Sequence, residues 1–331
     1  MLRVGLIGTG GIARAHANGW RAAAAAGTGQ ITALCDVSAA GLSAFEEALG
    51  VSGLPRYGDW AALLAEAELD AVDICLPHHL HAPAVLAAAA AGKHILIEKP
   101  LCTTFAEAEQ ITEAVEGAGI TLMCAHNQLF EAAIGEVRRR IDAGVIGTPQ
   151  MVYSSDAFRI DRTVEQWGWR APLATAGGGV LIDTGYHPTY RLLYLAGSAP
   201  VAVTAMCGKF HCPIEGEDVA NVLVQFANGM QGQVHTSWAF GLMPGAWSYA
   251  VMGTGGMICG RGNEITQQAW GQSWQSETLP PADGFTGEVL HFCSRIAAGQ
   301  PVLQSHVDGI NVLKVILGAY QAVAQQRVIK F

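Results

Sequence analysis

Residues 3–13 read RVGLIGTGGIA, an apolar run that breaks into glycine and then opens an alanine-rich stretch. Residues 3–8 predict a short buried strand, and residues 12–26, closed by Gly27, have the composition of a helix. Between the two, residues 8–13 fit the pattern G-x-G-x-x-G/A. In that frame Gly8 makes the tight turn, Gly10 lets a pyrophosphate approach the backbone, and Ala13 allows the helix to pack closely on the sheet. The helix start then offers free N–H groups and a positive dipole end to phosphate. Asp36 ends the next strand-like run (31–36, ITALCD). A carboxylate at this spacing accepts hydrogen bonds from both ribose hydroxyls and repels a 2′-phosphate, so NAD is expected rather than NADP.

Working outward, strands are expected at 71–76, 94–98 and 120–125, and helices at 39–49, 60–65, 83–91 and 104–117. Strands alternating with helices imply a doubly wound parallel sheet with right-handed crossovers. The pattern changes near residue 125. A helix over 131–143, a strand over 150–159 and a helix over 178–196 precede a series of strands at 201–209, 220–226, 230–238, 248–252 and 257–259. Asn228-Gly229 marks a hairpin between two of them. Helices over 285–298 and 307–325 close the chain, the second with Ser305 and Asp308 placed as a cap. The expected fold is α/β, with a Rossmann domain over 1–124 and an α+β domain with a mainly antiparallel sheet over 125–331.

Composition narrows the function. The chain has 331 residues, of which 50% are hydrophobic and 14% charged, enough for two well-packed domains. A net charge of −9 argues against a nucleic-acid partner, which calls for a basic face. No apolar run approaches the ~18 residues of a membrane span. The first residues enter a strand directly with no secretory-type leader, so a cytoplasmic location is expected. Eight cysteines without a Cys-x-x-Cys pair read as reduced, buried thiols. Cys207, His211 and Cys212 lie close together but match no common zinc spacing, and no metal is expected.

Two further groups carry chemistry. Glu98-Lys99-Pro100 follows the strand at 94–98, at the carboxyl end of an open sheet, where ligands bind. Pro100 keeps Lys99 out of the helical region. Asp183 and His187 stand four apart on the helix expected at 178–196 and would share a face, with the carboxylate orienting the imidazole. Gly177-Gly178-Gly179 just before them implies that something approaches the backbone closely there, a ligand being one candidate.

The strings GLIGTGGIARAH (5–16), LPHHLH (76–81), GKHILIEKPL (92–101), GGGVLIDTGYH (177–187) and HVDGINVLKVILGAYQA (306–322) together resemble the Gfo/Idh/MocA oxidoreductases, the glucose–fructose oxidoreductase and inositol dehydrogenase family. The resemblance implies hydride transfer between NAD and a secondary alcohol or ketone of a sugar, cyclitol or related polyol. It implies a homodimer or homotetramer formed through the C-terminal sheet. On it, Lys99, Asp183 and His187 are catalytic, with His187 as the acid/base and Lys99 stabilising the developing alkoxide. Gly8, Gly10, Gly11, Ile12, Asp36, Leu76, Pro77, His81, Glu98 and Lys99 are expected around the cofactor. Asn127, Arg159, Trp167 and Arg170 are expected to line the substrate pocket. The family's arginine soon after the fifth strand is replaced by the run Ala125-His126-Asn127-Gln128, so a less cationic pocket and a neutral substrate are expected. Two other outcomes share the signature: glycoside cleavage through transient oxidation by bound NAD, and a catalytically silent sugar-binding regulator.

Overall fold

The computed structural model describes residues 1–331, which form two compact units. The first contains Met1–Asn127 and Asp283–Gly309, the second Gln128–Ala282 and Ile310–Phe331. In chain order the first unit runs β1 (Leu2–Ile7), α1 (Gly11–Ala25), β2 (Gly29–Cys35), α2 (Ala39–Leu49), β3 (Arg56–Tyr57), α3 (Trp60–Glu66), β4 (Ala71–Ile74), α4 (His81–Ala90), β5 (His94–Glu98), α5 (Phe105–Ala118) and β6 (Leu122–Ala125). Its six strands are all parallel in the order β3-β2-β1-β4-β5-β6. Val4, Leu6, Ile95, Leu96 and Ile97 are fully buried, as in a parallel sheet covered on both faces. The order reverses between β1 and β4, so the loops after these two strands flank the switch point where α/β folds bind ligands. The two-residue β3, too short for a hydrophobic pattern to reveal, was not expected.

The chain continues with α6 (Ala132–Asp142), β7 (Pro149–Ala157), α7 (Val164–Trp167), α8 (Leu173–Ala176), α9 (Tyr186–Ala196), β8 (Pro200–Gly208), β9 (Val219–Phe226), β10 (Gln231–Ser237), β11 (Tyr249–Gly253), β12 (Gly256–Arg261), β13 (Glu264–Ala269), β14 (Gln275–Thr278), α10 (Gly284–Ala298), α11 (His306–Gln325) and β15 (Ile329–Lys330). The second sheet has nine strands, β14-β13-β12-β11-β7-β10-β9-β8-β15, antiparallel except where β7 meets β10. Helix α9 packs on β7 and β10, burying Leu192 and Leu195. Strands β13 and β14 escaped the sequence reading because their outward residues are Gln, Glu and Ser, without a hydrophobic signature.

Two expectations change. A division at 124/125 in chain order misses that α10 belongs to the first unit, where it packs along α1. Gly19 of α1 lets the helices close, since a Cβ there would meet Val289 at 2.8 Å. Helix α11 does reach the length and mean hydropathy (1.2) of a membrane span, contrary to the reading of the apolar runs. Its apolar side chains serve a protein interior: Leu313, Val315, Ile316 and Ala319 are fully buried, and Gly318 sits against Val203 and Phe331.

Candidate functional site

In the first unit the glycine loop is held by its neighbours. Gly8 has φ +92°, and a Cβ there would lie 2.3 Å from the Cys75 carbonyl oxygen, so the turn after β1 abuts the end of β4 and admits only glycine. Gly10 and Gly11 face open space. Gly10 caps α1 without a side-chain hydrogen bond, and the first turn carries no acidic residue, so the N–H groups that begin the helix meet no competing side-chain anion. Ala13 is fully buried against the sheet and Ile12 is 36% exposed at the helix start. This cradle fits a dinucleotide pyrophosphate.

Asp36 acts first on the loop itself. Its Oδ2 accepts from Thr9 N (2.7 Å) and Thr9 Oγ1 (2.8 Å), and its Oδ1 from Ser38 N (2.8 Å). Three of about four acceptor positions are thereby used, so Asp36 fastens the glycine loop while keeping its negative charge beside it.

The segment after β4 is braced by His81. Its Nδ1 meets Pro100 O at 2.6 Å and its Nε2 meets Leu76 O at 2.8 Å. Burial lowers the His81 pKa, against the pull of the two carbonyls. Both ring nitrogens lie against backbone carbonyls, so His81 packs between Leu76 and Pro100 and fixes their spacing. The Lys99–Pro100 peptide bond is cis.

Behind Lys99 lies a buried polar group that the sequence reading did not single out. His16 Nδ1 meets Asp73 Oδ2 at 2.9 Å, and His16 Nε2 meets Glu98 Oε1 at 3.1 Å. Trp20 Nε1 donates to Asp73 Oδ2 (2.7 Å), and Lys99 N donates to Glu98 Oε2 (3.0 Å). Glu288, from α10, is fully buried, with Oε1 3.6 Å from His16 Nε2. Two triads, His16-Asp73-Cys75 and His16-Glu98-Glu288, bring donor atoms within 4.8 Å of one another. Burial drives the Cys75 thiol far above its usual range, and both imidazole nitrogens face carboxylates, so the cluster reads as an ion and hydrogen-bond network. Its signal was present in the ARAH string, but no spacing links residue 16 to residues 73, 98 and 288. Asn127 ends the contiguous part of this unit. A Cβ on Gly284 would lie 2.3 Å from its carbonyl oxygen, which keeps the start of α10 against it.

In the second unit the segment 177–187 differs from expectation. Helix α9 starts only at Tyr186, so Asp183 lies in the turn before it and does not share a helical face with His187. Asp183 Oδ2 accepts from Arg170 Nε at 2.6 Å, and the Arg170 guanidinium stacks 4.2 Å from the Trp169 ring. His187 Nδ1 instead meets Tyr190 Oη at 2.8 Å, and that hydroxyl accepts from Gln128 N (3.3 Å). Tyr190, unmarked in the sequence, thus holds the ring at Nδ1. The glycines are explained by protein rather than ligand. A Cβ on Gly178 would lie 2.3 Å from Tyr320 Oη, and one on Gly179 1.9 Å from Glu217 O. Glu217 clasps the turn, accepting from Gly179 N, Leu181 N and Tyr320 Oη.

His187 lines a cavity of about 720 Å³ together with Gln128, Asp156, Arg159, Thr184 and Arg261. The wall thus holds two guanidinium groups and the Asp156 carboxylate. Arg159 is paired with Asp161, which also meets His211 Nε2 at 2.8 Å. Trp167 does not line this cavity. It is 2% exposed, packed against Trp238 at 4.7 Å in a cluster with Val180, Cys212 and Ile214, and so belongs to the core. Cys212 Sγ points at the carbonyl oxygens of Ile160 and Trp238 while His211 faces Asp161, so His211 and Cys212 turn to different partners.

Comparison with known proteins adds to this geometry. Residues 2–126 match the family model described as "Oxidoreductase family, NAD-binding Rossmann fold", and residues 134–259 match the GFO/IDH/MocA C-terminal domain. The chain is 30% identical to a 1,5-anhydro-D-fructose reductase of Ensifer adhaerens, over 98% of this chain and 97% of that one. It is 27% identical to an inositol 2-dehydrogenase of Rhizobium meliloti, over 98% of each. Among solved structures, an aldose-aldose oxidoreductase from Caulobacter crescentus complexed with glycerol superposes with a TM-score of 0.87 at 27% identity, covering 100% of this chain and 99% of that one.

Proposed function

From the premise that the chain belongs to the GFO/IDH/MocA oxidoreductase family, with its NAD-binding Rossmann domain, we propose that it oxidises a secondary alcohol of a sugar, cyclitol or related polyol, or reduces the matching ketone. The observation that carries the reading is His187 on the wall of a cavity of about 720 Å³ lined by amide, hydroxyl, carboxylate and guanidinium groups. That size suits a small polar ligand. The names of the relatives, a reductase of an anhydro-sugar and a dehydrogenase of inositol, support the substrate class.

When bound, NAD supplies the nicotinamide that exchanges hydride with the substrate carbon. Everything else falls to the chain. The N–H groups at the start of α1 hold the pyrophosphate, and the Asp36 charge disfavours a 2′-phosphate. The substrate hydroxyl must lose a proton as its carbon is oxidised. His187, held at Nδ1 by Tyr190, takes that proton at Nε2. Lys99 stabilises the oxygen as charge develops on it. Asp183 fixes Arg170 and the turn that leads into α9. In this reading Arg159, on the wall of the same cavity as His187, meets one of the substrate's remaining hydroxyls.

We further propose a homo-oligomer formed through the second sheet, supported by Met206 and Leu223, which are 81% and 55% exposed on adjacent strands β8 and β9. A cytoplasmic setting is supported by eight cysteines, all free.

The test is NADH formation by the purified protein with NAD⁺ and a panel of inositols and aldoses, with NADP⁺ in parallel. The expected result is turnover on one class of polyol with NAD⁺ preferred. His187→Ala should lower kcat by about 10²–10⁴-fold. An unaltered kcat in that variant removes His187 from the mechanism. A wild-type protein that keeps NAD bound and oxidises nothing on the panel defeats the dehydrogenase reading.

A further inference from the structure

The Asp73–His16–Glu98 chain ends on the backbone N–H of Lys99, and one neighbour has no hydrogen bond in it. Both Glu288 oxygens are buried without a partner, although Oε1 is only 3.6 Å from His16 Nε2. The charges must be balanced here. Three carboxylates surround one imidazole, and none of the four side chains is more than 7% exposed. Asp73 has three donors, His16 Nδ1, Trp20 Nε1 and, at 3.5 Å, Cys75 Sγ. Glu98 has two, His16 Nε2 and Lys99 N. A neutral imidazole carries one N–H and would leave one of these carboxylates facing a lone pair, whereas an imidazolium serves both. That single cation is fully engaged, and a third buried anion would stand uncompensated.

We propose that His16 is an imidazolium that positions Lys99 by fixing Glu98, and that Glu288 is a neutral carboxylic acid, which spares the network a further uncompensated negative charge. The inference rests on the reading of Lys99 as a participant in catalysis. His16 sits on α1, the helix whose first turn forms the dinucleotide cradle, so one rigid element sets both the cofactor loop and the lysine backbone. The groups facing the network come from four elements. They are His16 on α1, Asp73 and the following Cys75 from β4, Glu98 on β5, and Glu288 on α10 with Asp283 at its cap. Burial alone would lower the His16 pKa, but the Asp73 carboxylate and Cys75 outweigh it and hold it well above the usual range. Burial raises the Glu288 carboxyl far above its ordinary value, opposed by His16 and aided by Glu98 and Asp73.

Glu288→Gln tests the protonation state without reference to activity. A carboxyl whose folded-state pKa is raised keeps a proton that the unfolded chain releases above its ordinary value of 4.5, so the wild type loses stability as pH rises past that point. The glutamine variant has no such loss. The expected result is that its Tm advantage over wild type grows between about pH 5 and pH 8. A difference that stays flat or shrinks overturns the assignment, as does a stoichiometric divalent metal in the purified protein.

His16→Gln tests the positioning role. Its kcat should fall about tenfold or more while KM for the polyol and the NAD Kd, read from protein fluorescence, stay within about twofold. If His16→Gln does not fold, Asp73→Asn keeps an acceptor for Trp20 Nε1, removes the charge that holds the imidazolium and should show the same split. Lys99→Met separates the two levels. Full turnover in Lys99→Met removes Lys99 from the reaction, whereas a loss there with full turnover in His16→Gln overturns the positioning role alone.

Discussion

Two glycine clusters of similar appearance do opposite things in the two units. Gly10 and Gly11 border open space at the start of α1, where the missing side chains leave room for a ligand. Gly178 and Gly179 border protein, with Tyr320 Oη and the Glu217 backbone inside the volume a Cβ would take. Glycine shows that something approaches the backbone, and only the three-dimensional surroundings say whether it is a cofactor or another part of the chain.

The contrast is open to direct attack. The largest effect should come from Gly179→Ala, whose Cβ would lie 1.9 Å from a carbonyl oxygen that is itself backbone. We expect a loss of about 3 kcal/mol or more, seen as a depressed urea midpoint, since overpacking against backbone has no side chain to yield. Gly10→Ala should behave in the opposite way. With φ −70° and nothing within 4 Å, it should leave the urea midpoint unchanged while NAD affinity falls by about tenfold or more. A Gly10→Ala protein that binds NAD like the wild type would abolish the contrast. The smallest effect should come from Tyr190→Phe, which removes the partner of His187 Nδ1. Loss of the hydroxyl removes its hydrogen bonds with His187 Nδ1 and Gln128 N, and predicts a fall in kcat of about 2–10-fold, a shift of the pH–rate profile and a loss of only about 1–2 kcal/mol in urea stability.

The same contrast explains what could be read from the sequence. The first sheet was legible because parallel strands buried on both faces are unbroken apolar runs, and ILIE or AVDI between helix-forming stretches has few other meanings. The cradle was legible because its parts are close in sequence. The second unit was harder. VLID before Tyr186 looks helical by composition, yet Glu217, from a distant loop, takes the N–H groups of Gly179 and Leu181 and holds the segment as a turn. Trp167 reads as a pocket residue because an exposed and a buried indole have the same letter, and Trp238, 71 positions on, decides between them. The cluster around His16 draws on four separate elements and has no local pattern at all.

The return of α10 to α1 bears on how this chain can be cut and recombined. A fragment ending at Asn127 would leave the α1 surface around Gly19 uncovered and His16 without Glu288. A grafted cofactor-binding module needs two splices, one near residue 127 and one bringing residues 283–309 back, through a tether or as a second peptide added in trans. In genetic terms the NAD-binding unit is a discontinuous cassette, interleaved with a second unit that is itself in two pieces, 128–282 and 310–331.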